Sequence, residues 1–176
     1  MLGTGWKAMA ALALAGALVG CTAPPVTPAA MVVADPPAIK PNWVVKQAVA
    51  IGDVAVVAAP NAAAAPAVGA DALRQALERS LAAAGYLADR PKPRYKLDAT
   101  LQELDQPRFS LAKDTTVTAT VLYRLIGPGT NAQYSVTASG TATFHDSALF
   151  GTRLKLADER ALQANIETLL KKLQTF

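Results

Sequence analysis

Three stretches in the second half of the chain alternate apolar and polar residues with a period of two, and this pattern limits the fold more than any other feature. RYKLDATLQEL, residues 94–104, places Tyr95, Leu97, Ala99 and Leu101 on one face and Lys96, Asp98, Thr100 and Gln102 on the other. TTVTATVLYRLI, residues 115–126, sets Val117, Ala119, Val121, Tyr123 and Leu125 against Thr116, Thr118, Thr120 and Arg124. QYSVTASGTATF, residues 133–144, sets Tyr134, Val136, Ala138, Ala142 and Phe144 against Ser135, Thr137, Ser139, Thr141 and Thr143. Successive side chains of a strand point to opposite faces, so each stretch reads as a strand with one dry and one wet face. GPGTNA, between the second and third stretches, is a hairpin turn signal.

The dry face needs a cover, and two amphipathic segments supply it. DALRQALERSLAAA, residues 71–84, repeats leucine at 73, 77 and 81, with Gly85 placed to end a helix in the left-handed conformation. Residues 152–174 carry Leu156, Leu162, Ile166, Leu169, Leu170 and Leu173 as one stripe. Each such side chain is worth roughly 1.5–3 kcal/mol when fully buried, so this helix must dock. VVKQAVAIGDVAVV, residues 44–57, is valine-rich and interrupted at Gly52 and Asp53, the pattern of one strand with a bulge. The order β-α-β-β-β-α predicts an α+β two-layer sandwich: a four-stranded, mostly antiparallel sheet with two helices on one face.

Upstream of this domain the sequence changes character. AMAALALAGALV, residues 8–19, is an uncharged apolar run behind Lys7. It is too short for a bilayer span, which takes about 20 residues, and has the size of a signal-peptide core. Leu18, Val19 and Gly20 then precede Cys21, the chain's one cysteine. This resembles the bacterial lipobox, which implies cleavage before Cys21, a diacylglycerol on its thiol and acylation of the new amino terminus. The bland alternative is a secretory leader with an incidental cysteine, but one cysteine makes no internal disulfide and a free thiol is unusual in an oxidising compartment. Two or three acyl chains hold far better than one, at about 0.8 kcal/mol per buried methylene. Thr22 stands where aspartate would retain an enteric lipoprotein in the inner membrane, so the analogy favours the bacterial outer membrane with the domain facing the periplasm.

Residues 22–42 contain six prolines. They read as a semi-rigid extended tether with a reach of roughly 65 Å. The expected division is therefore a leader over 1–20, lipidated Cys21 and tether over 21–42, and a single domain over 43–176. A second Ala/Pro tract, AAPNAAAAPAVG at 58–69, reads as a loop.

Two resemblances follow from these residues. The β-α-β-β-β-α order behind a lipobox resembles the fold of the lipopolysaccharide-assembly lipoprotein and the ABC-transport auxiliary lipoproteins. LRQALERSLAAAGYL, RYKLDATLQELDQP, TVTATVLYRL and RLKLADERALQANIETLLKKL, spanning about 70–173, are similar to uncharacterised outer-membrane lipoproteins of the YajG type. The last-helix residues Arg153, Ala157, Glu159, Ala161, Asn165 and Ile166 carry most of that likeness. It implies an envelope lipoprotein and supplies no catalytic residues.

The candidate chemistry is sparse. The formal net charge of +4 is mild and forms no dense stripe, so no nucleic-acid partner is implied. His145, the sole histidine, precedes Asp146 and Ser147. Adjacent residues at a strand end diverge, whereas a catalytic triad needs convergence. One histidine and one acylated cysteine make no usual metal set, and no cofactor is indicated. Arg90, Lys92, Arg94 and Lys96 could meet phosphates of lipopolysaccharide or phospholipid, or act as solvated gatekeepers of a strand. Thr118 and Thr137, in the Thr/Ser ladder of the open face, mark either a partner surface or a plain wet face. Arg153, Glu159 and Asn165 suit a buried helix-end network. The expectation is a non-enzymatic accessory or binding subunit in envelope lipid or lipopolysaccharide transport, with a structural or protein-interaction module in envelope or cell-wall assembly as the alternative. Its partners would be the membrane, through Cys21, and an envelope protein, phospholipid or lipopolysaccharide.

Overall fold

The alternating stretches become a continuous antiparallel run of three strands. The structure, a computed structural model, describes residues 25–36, 42–57, 68–89, 91–107 and 114–176. Its elements are β1 (Val49–Val56), α1 (Ala70–Ala83), β2 (Tyr95–Asp105), β3 (Thr115–Gly127), β4 (Thr130–Ala142) and α2 (Phe150–Gln174). The sheet order is β1-β2-β3-β4. β2, β3 and β4 pair antiparallel, while β1 pairs parallel to β2. The sheet is thus mixed rather than mostly antiparallel. The cause is the α1 crossover, which carries the chain back to the end where β1 began, so β2 must run alongside it.

Local chemistry sets each boundary. In β1 the register shifts between Ile51 and Val54, so Gly52 and Asp53 together face Asp98, the bulge that the sequence indicates. A Cβ on Gly52 would collide with Asp98 Oδ1 and the Lys96 side chain, which would have to move aside. β1 starts at Val49 rather than Val44, because Gln47 has a φ of 49° that breaks the extended chain. Gly85, at φ 74°, ends α1. The Tyr86 N–H donates to Leu81 O at 2.8 Å and the Gly85 N–H to Ala82 O at 3.0 Å, the paired bonds of a Schellman cap. Pro128 and Gly129 close the β3–β4 hairpin between paired Gly127 and Thr130, with Gly129 at φ 71°, as the third residue of a type II turn requires.

The core lies between the sheet and the helices. Leu97, Ala99, Leu101, Val117, Ala119, Val121, Tyr123, Leu125 and Val136 meet Leu73, Leu77, Leu81, Leu162, Ile166, Leu169, Leu170 and Leu173. Gly140 lets α2 approach β4 closely: a Cβ there would collide with the Ala161 backbone nitrogen and the Ala157 carbonyl. Phe144, expected in the core, lies past the end of β4 and is 56% exposed.

The stretch that reads as a free tether is in part a piece of the core. Val26, Met31 and Val33 are buried, around a 3-10 turn at Pro28–Met31. This segment packs against both α1 and α2, which barely meet each other. The Thr27 N–H and Oγ1 donate to Glu159 Oε1 at 2.8 and 2.7 Å. The Val33 N–H donates to Ser80 Oγ at 3.0 Å, and Gln163 Nε2 donates to Val32 O at 2.9 Å. Proline opens a 3-10 turn readily because its missing N–H has no partner to lose there, so proline content alone does not make a linker.

Two substitutions test this packing by denaturant unfolding. Met31→Ala should remove about 2–5 kcal/mol, the usual cost of emptying a buried methionine site. Gly140→Ala should remove about 1–3 kcal/mol by pushing α2 off the sheet.

Candidate functional site

Three buried polar residues of α2, Arg153, Glu159 and Asn165, stand at six-residue steps, and each binds a different part of the chain. The Arg153 guanidinium donates to Ser147 O and Ala148 O at 2.8 and 2.9 Å and lies over the Phe144 and Phe150 rings. A fully buried guanidinium is tolerable only when its donors are met, and here carbonyls and π-faces contribute. Glu159 receives Thr27, with Lys155 Nζ 3.7 Å away. Asn165 Nδ2 donates to Ala119 O and Val136 O, and its Oδ1 accepts from the Tyr123 hydroxyl at 2.9 Å. All three residues are buried as expected, but they form three separate clips rather than one helix-end network. Burial pushes the Tyr123 hydroxyl pKa well above the ordinary tyrosine range.

Asp158 was not singled out by the sequence, although DE at 158–159 on an otherwise apolar stripe is a visible signal. Its carboxylate is buried and accepts from Gln106 Nε2 through both oxygens, each at 2.9 Å. Burial pushes its pKa up to about 7; the Gln106 amide opposes the rise and the Glu159 charge adds to it.

Among the described residues the other face of the sheet is uncovered, since both helices lie on the core side. Three register partners on β3 and β4 pair their hydroxyls across it: Thr116 with Thr141 at 2.9 Å, Thr118 with Ser139 at 2.8 Å, and Thr120 with Thr137 at 3.1 Å. Thr118 and Thr137 are thus in adjacent rungs of one ladder. Each pair satisfies one donor and leaves another hydroxyl hydrogen and lone pairs toward solvent.

The basic cluster is dispersed. Arg90 lies outside the described residues. Lys96 bridges Asp53 at 2.8 Å and Asp98 at 3.3 Å on the open face, so its charge is locally matched. The hydrogen bond from Lys96 also holds the Asp53 carboxyl below its usual range. Arg94 stands over the Tyr95 ring, 5.6 Å from its centre, and Lys92 is exposed. Cys21 also lies outside the described residues.

The Asp146 and Ser147 side chains serve the backbone and Arg160 rather than His145. Asp146 forms a two-point pair with Arg160, at 2.7 and 3.0 Å, and accepts from the Thr143 N–H at 2.7 Å. The arginine bonds first, then the Thr143 amide, hold its carboxyl well below the usual range. Ser147 Oγ accepts from the Leu149 N–H at 3.1 Å. Among the described residues no three His, Cys, Asp or Glu side chains gather as a metal set, and no helix is long and apolar enough to cross a membrane. A depression lined by Val32, Val33, Ala34, Asp35, Gln163 and Glu167 is open to solvent.

No protein-family model matches the chain, and no curated protein matches it significantly in sequence. Similar solved structures include a Caulobacter crescentus protein provisionally called a lipoprotein, with 16% identity and a TM-score of 0.46, covering 73% of this chain and 89% of that one. A PelC dodecamer from Paraburkholderia phytofirmans shows 15% identity and a TM-score of 0.45, covering 87% and 92%. A Xanthomonas campestris protein of the DUF330 family shows 15% identity and a TM-score of 0.45, covering 77% and 90%. Likeness at this level carries no argument about what the chain does.

The raised Asp158 pKa has a testable sign. The folded state holds this proton more tightly than the unfolded chain, whose carboxyl titrates near the ordinary value. Asp158 therefore opposes folding progressively as pH rises from about 4 to about 7, and to a constant extent above that. Asp158→Asn should flatten the decline in unfolding free energy over that window, measured by denaturant midpoints at pH 4, 5.5 and 8.

Proposed function

We propose that the chain is a lipoprotein, acylated at Cys21 and held on the periplasmic side of the outer membrane, whose domain serves as a non-enzymatic accessory or binding subunit of an envelope assembly. The Leu18-Val19-Gly20-Cys21 sequence supports the anchor, and Thr22 supports the outer membrane. The similarity of the α2 motif to YajG-type lipoproteins supports the same setting.

The observation that carries the binding role is the uncovered β3–β4 face. This face presents six paired hydroxyls in a regular array, and among the described residues nothing from the chain lies upon it. Such a surface suits a polar partner that exchanges water for hydroxyl contacts, such as an envelope protein or a glycan-bearing component. A role in lipid or lipopolysaccharide transport is the second reading, favoured by the exposed Lys92 and Arg94 at the start of β2.

Two measurements test this. Cys21→Ala should abolish incorporation of labelled palmitate and leave the leader uncleaved; persistent labelling defeats the anchor. A photo-crosslinking residue at Thr118 or Thr137, in living cells, should yield one discrete adduct that is absent when the same residue is placed at Lys171 on α2. The adduct should disappear when Thr120 and Ser139 are both changed to lysine. Adducts equal at all three positions would remove the open face as the docking site, and lipid-only adducts would favour the transport reading.

A further inference from the structure

The docked N-terminal segment shortens the leash between anchor and domain, and the leash length selects which end of the domain meets lipid. This inference rests on acylation at Cys21 as proposed above. Thr27 is fixed to Glu159 by two hydrogen bonds, and Val26 beside it is buried. Five peptide units separate Cys21 from Val26, a span of about 18 Å at full extension. Helix α2 rises about 1.5 Å per residue, so Glu159 stands about 13 Å from the Phe150 end and about 22 Å from the Gln174 end. The lipid-bearing residue therefore reaches the Phe150 end of the domain and falls short of the other.

The chemistry of the reachable end matches that constraint. Leu149 is 71% exposed and Phe144 56% exposed there, with exposed Val57 at the far edge of the same end, where β1 stops. The nearby charges are largely occupied: Asp146 is paired with Arg160, and Arg153 is buried among carbonyls and rings. Among the described residues at this end Asp105 and Asp114 are exposed, so what these residues offer a bilayer is apolar insertion and not a pull toward anionic headgroups. The opposite end also exposes an aromatic, Trp43, which is why composition alone does not choose between the two ends. The face bearing the docked segment exposes Asp35, with Glu167 beside it, and among the described residues it offers no large exposed apolar side chain to a bilayer.

We propose that the rim formed by Phe144 and Leu149, at the start of α2, rests in the surface of the same bilayer that holds Cys21. The strands then stand on the membrane with their open Thr/Ser face turned sideways, accessible to a neighbour in the envelope. The domain is a post on the membrane rather than a weight on a long cord.

Because Cys21 is acylated, one introduced cysteine is the only free thiol in the mature protein. The full-length lipoprotein, purified from envelopes with its acylated mass verified, would be labelled with an environment-sensitive fluorophore at Leu149→Cys, Trp43→Cys, Thr137→Cys or Glu167→Cys. It would then be reconstituted into vesicles of phosphatidylethanolamine and phosphatidylglycerol. The Leu149 label should be quenched several-fold more strongly by nitroxide-bearing lipid than the other three, equally at low and high salt. An acylated protein whose Leu149 label is as accessible as that at Thr137 overturns the orientation while leaving the anchor in place. Quenching at Trp43 or Glu167 instead assigns the contact to another face and overturns it as well. Loss of the acyl mass from the otherwise wild-type protein defeats the anchor on which the orientation depends.

Discussion

Two helices laid on one sheet face leave a furrow between them, and this molecule closes the furrow with its own N-terminal segment. Met31 is fully buried at that seam, flanked by Val26 and Val33. Burying three such side chains offsets the entropy of ordering a short segment, the more so because prolines at 25, 28 and 36 already restrict it. Hydrogen bonds to Ser80, Glu159 and Gln163 tie the segment to both helices. Without it, α1 and α2 would share little contact and the seam would open to water. The chain from Val26 to Val33 is thus structural, and with Cys21 acylated as proposed the distance from anchor to domain follows from where it docks.

The same logic explains why α2 tolerates so many buried polar residues. A helix that only covered a sheet could do so with leucine and alanine. Arg153, Glu159 and Asn165 instead fix its height and rotation against three separate elements: the β4–α2 connection, the N-terminal segment and the β3–β4 backbone. Breaking any one strands a buried polar group, which is more costly than losing a contact between apolar atoms. Gly140 complements them sterically, since it lets the α2 backbone come close enough for the Asn165 amide to reach strand carbonyls.

Much of the sheet was legible because period-two alternation is a strong physical signal. Tyr95, Leu97, Ala99 and Leu101 face the core as their spacing demands, and at the Gly52–Asp53 interruption two residues oppose Asp98 as a bulge. The parallel β1–β2 pairing was less legible, since periodicity reports faces and not strand direction. The tether was misread for a different reason. Six prolines dominate its composition, while the informative signal was the short apolar run Met31-Val32-Val33, whose burial depends on a furrow that only the tertiary structure creates. Phe144 was misassigned because alternation persists in the sequence for two residues after the strand has ended at Ala142. The basic residues looked like a cluster in sequence, yet the fold pairs Lys96 with Asp53 across the bulge, a contact between residues more than forty positions apart.

The account turns on the N-terminal segment being part of the folded domain. Hydrogen–deuterium exchange on the full-length protein measures this directly at the Thr27 and Val33 amides, which donate to Glu159 and Ser80. The account predicts that both exchange far more slowly than an unstructured chain and are released together with the α1–α2 seam. Exchange at both amides as fast as in an unfolded peptide, while β3 and β4 stay protected, would contradict it.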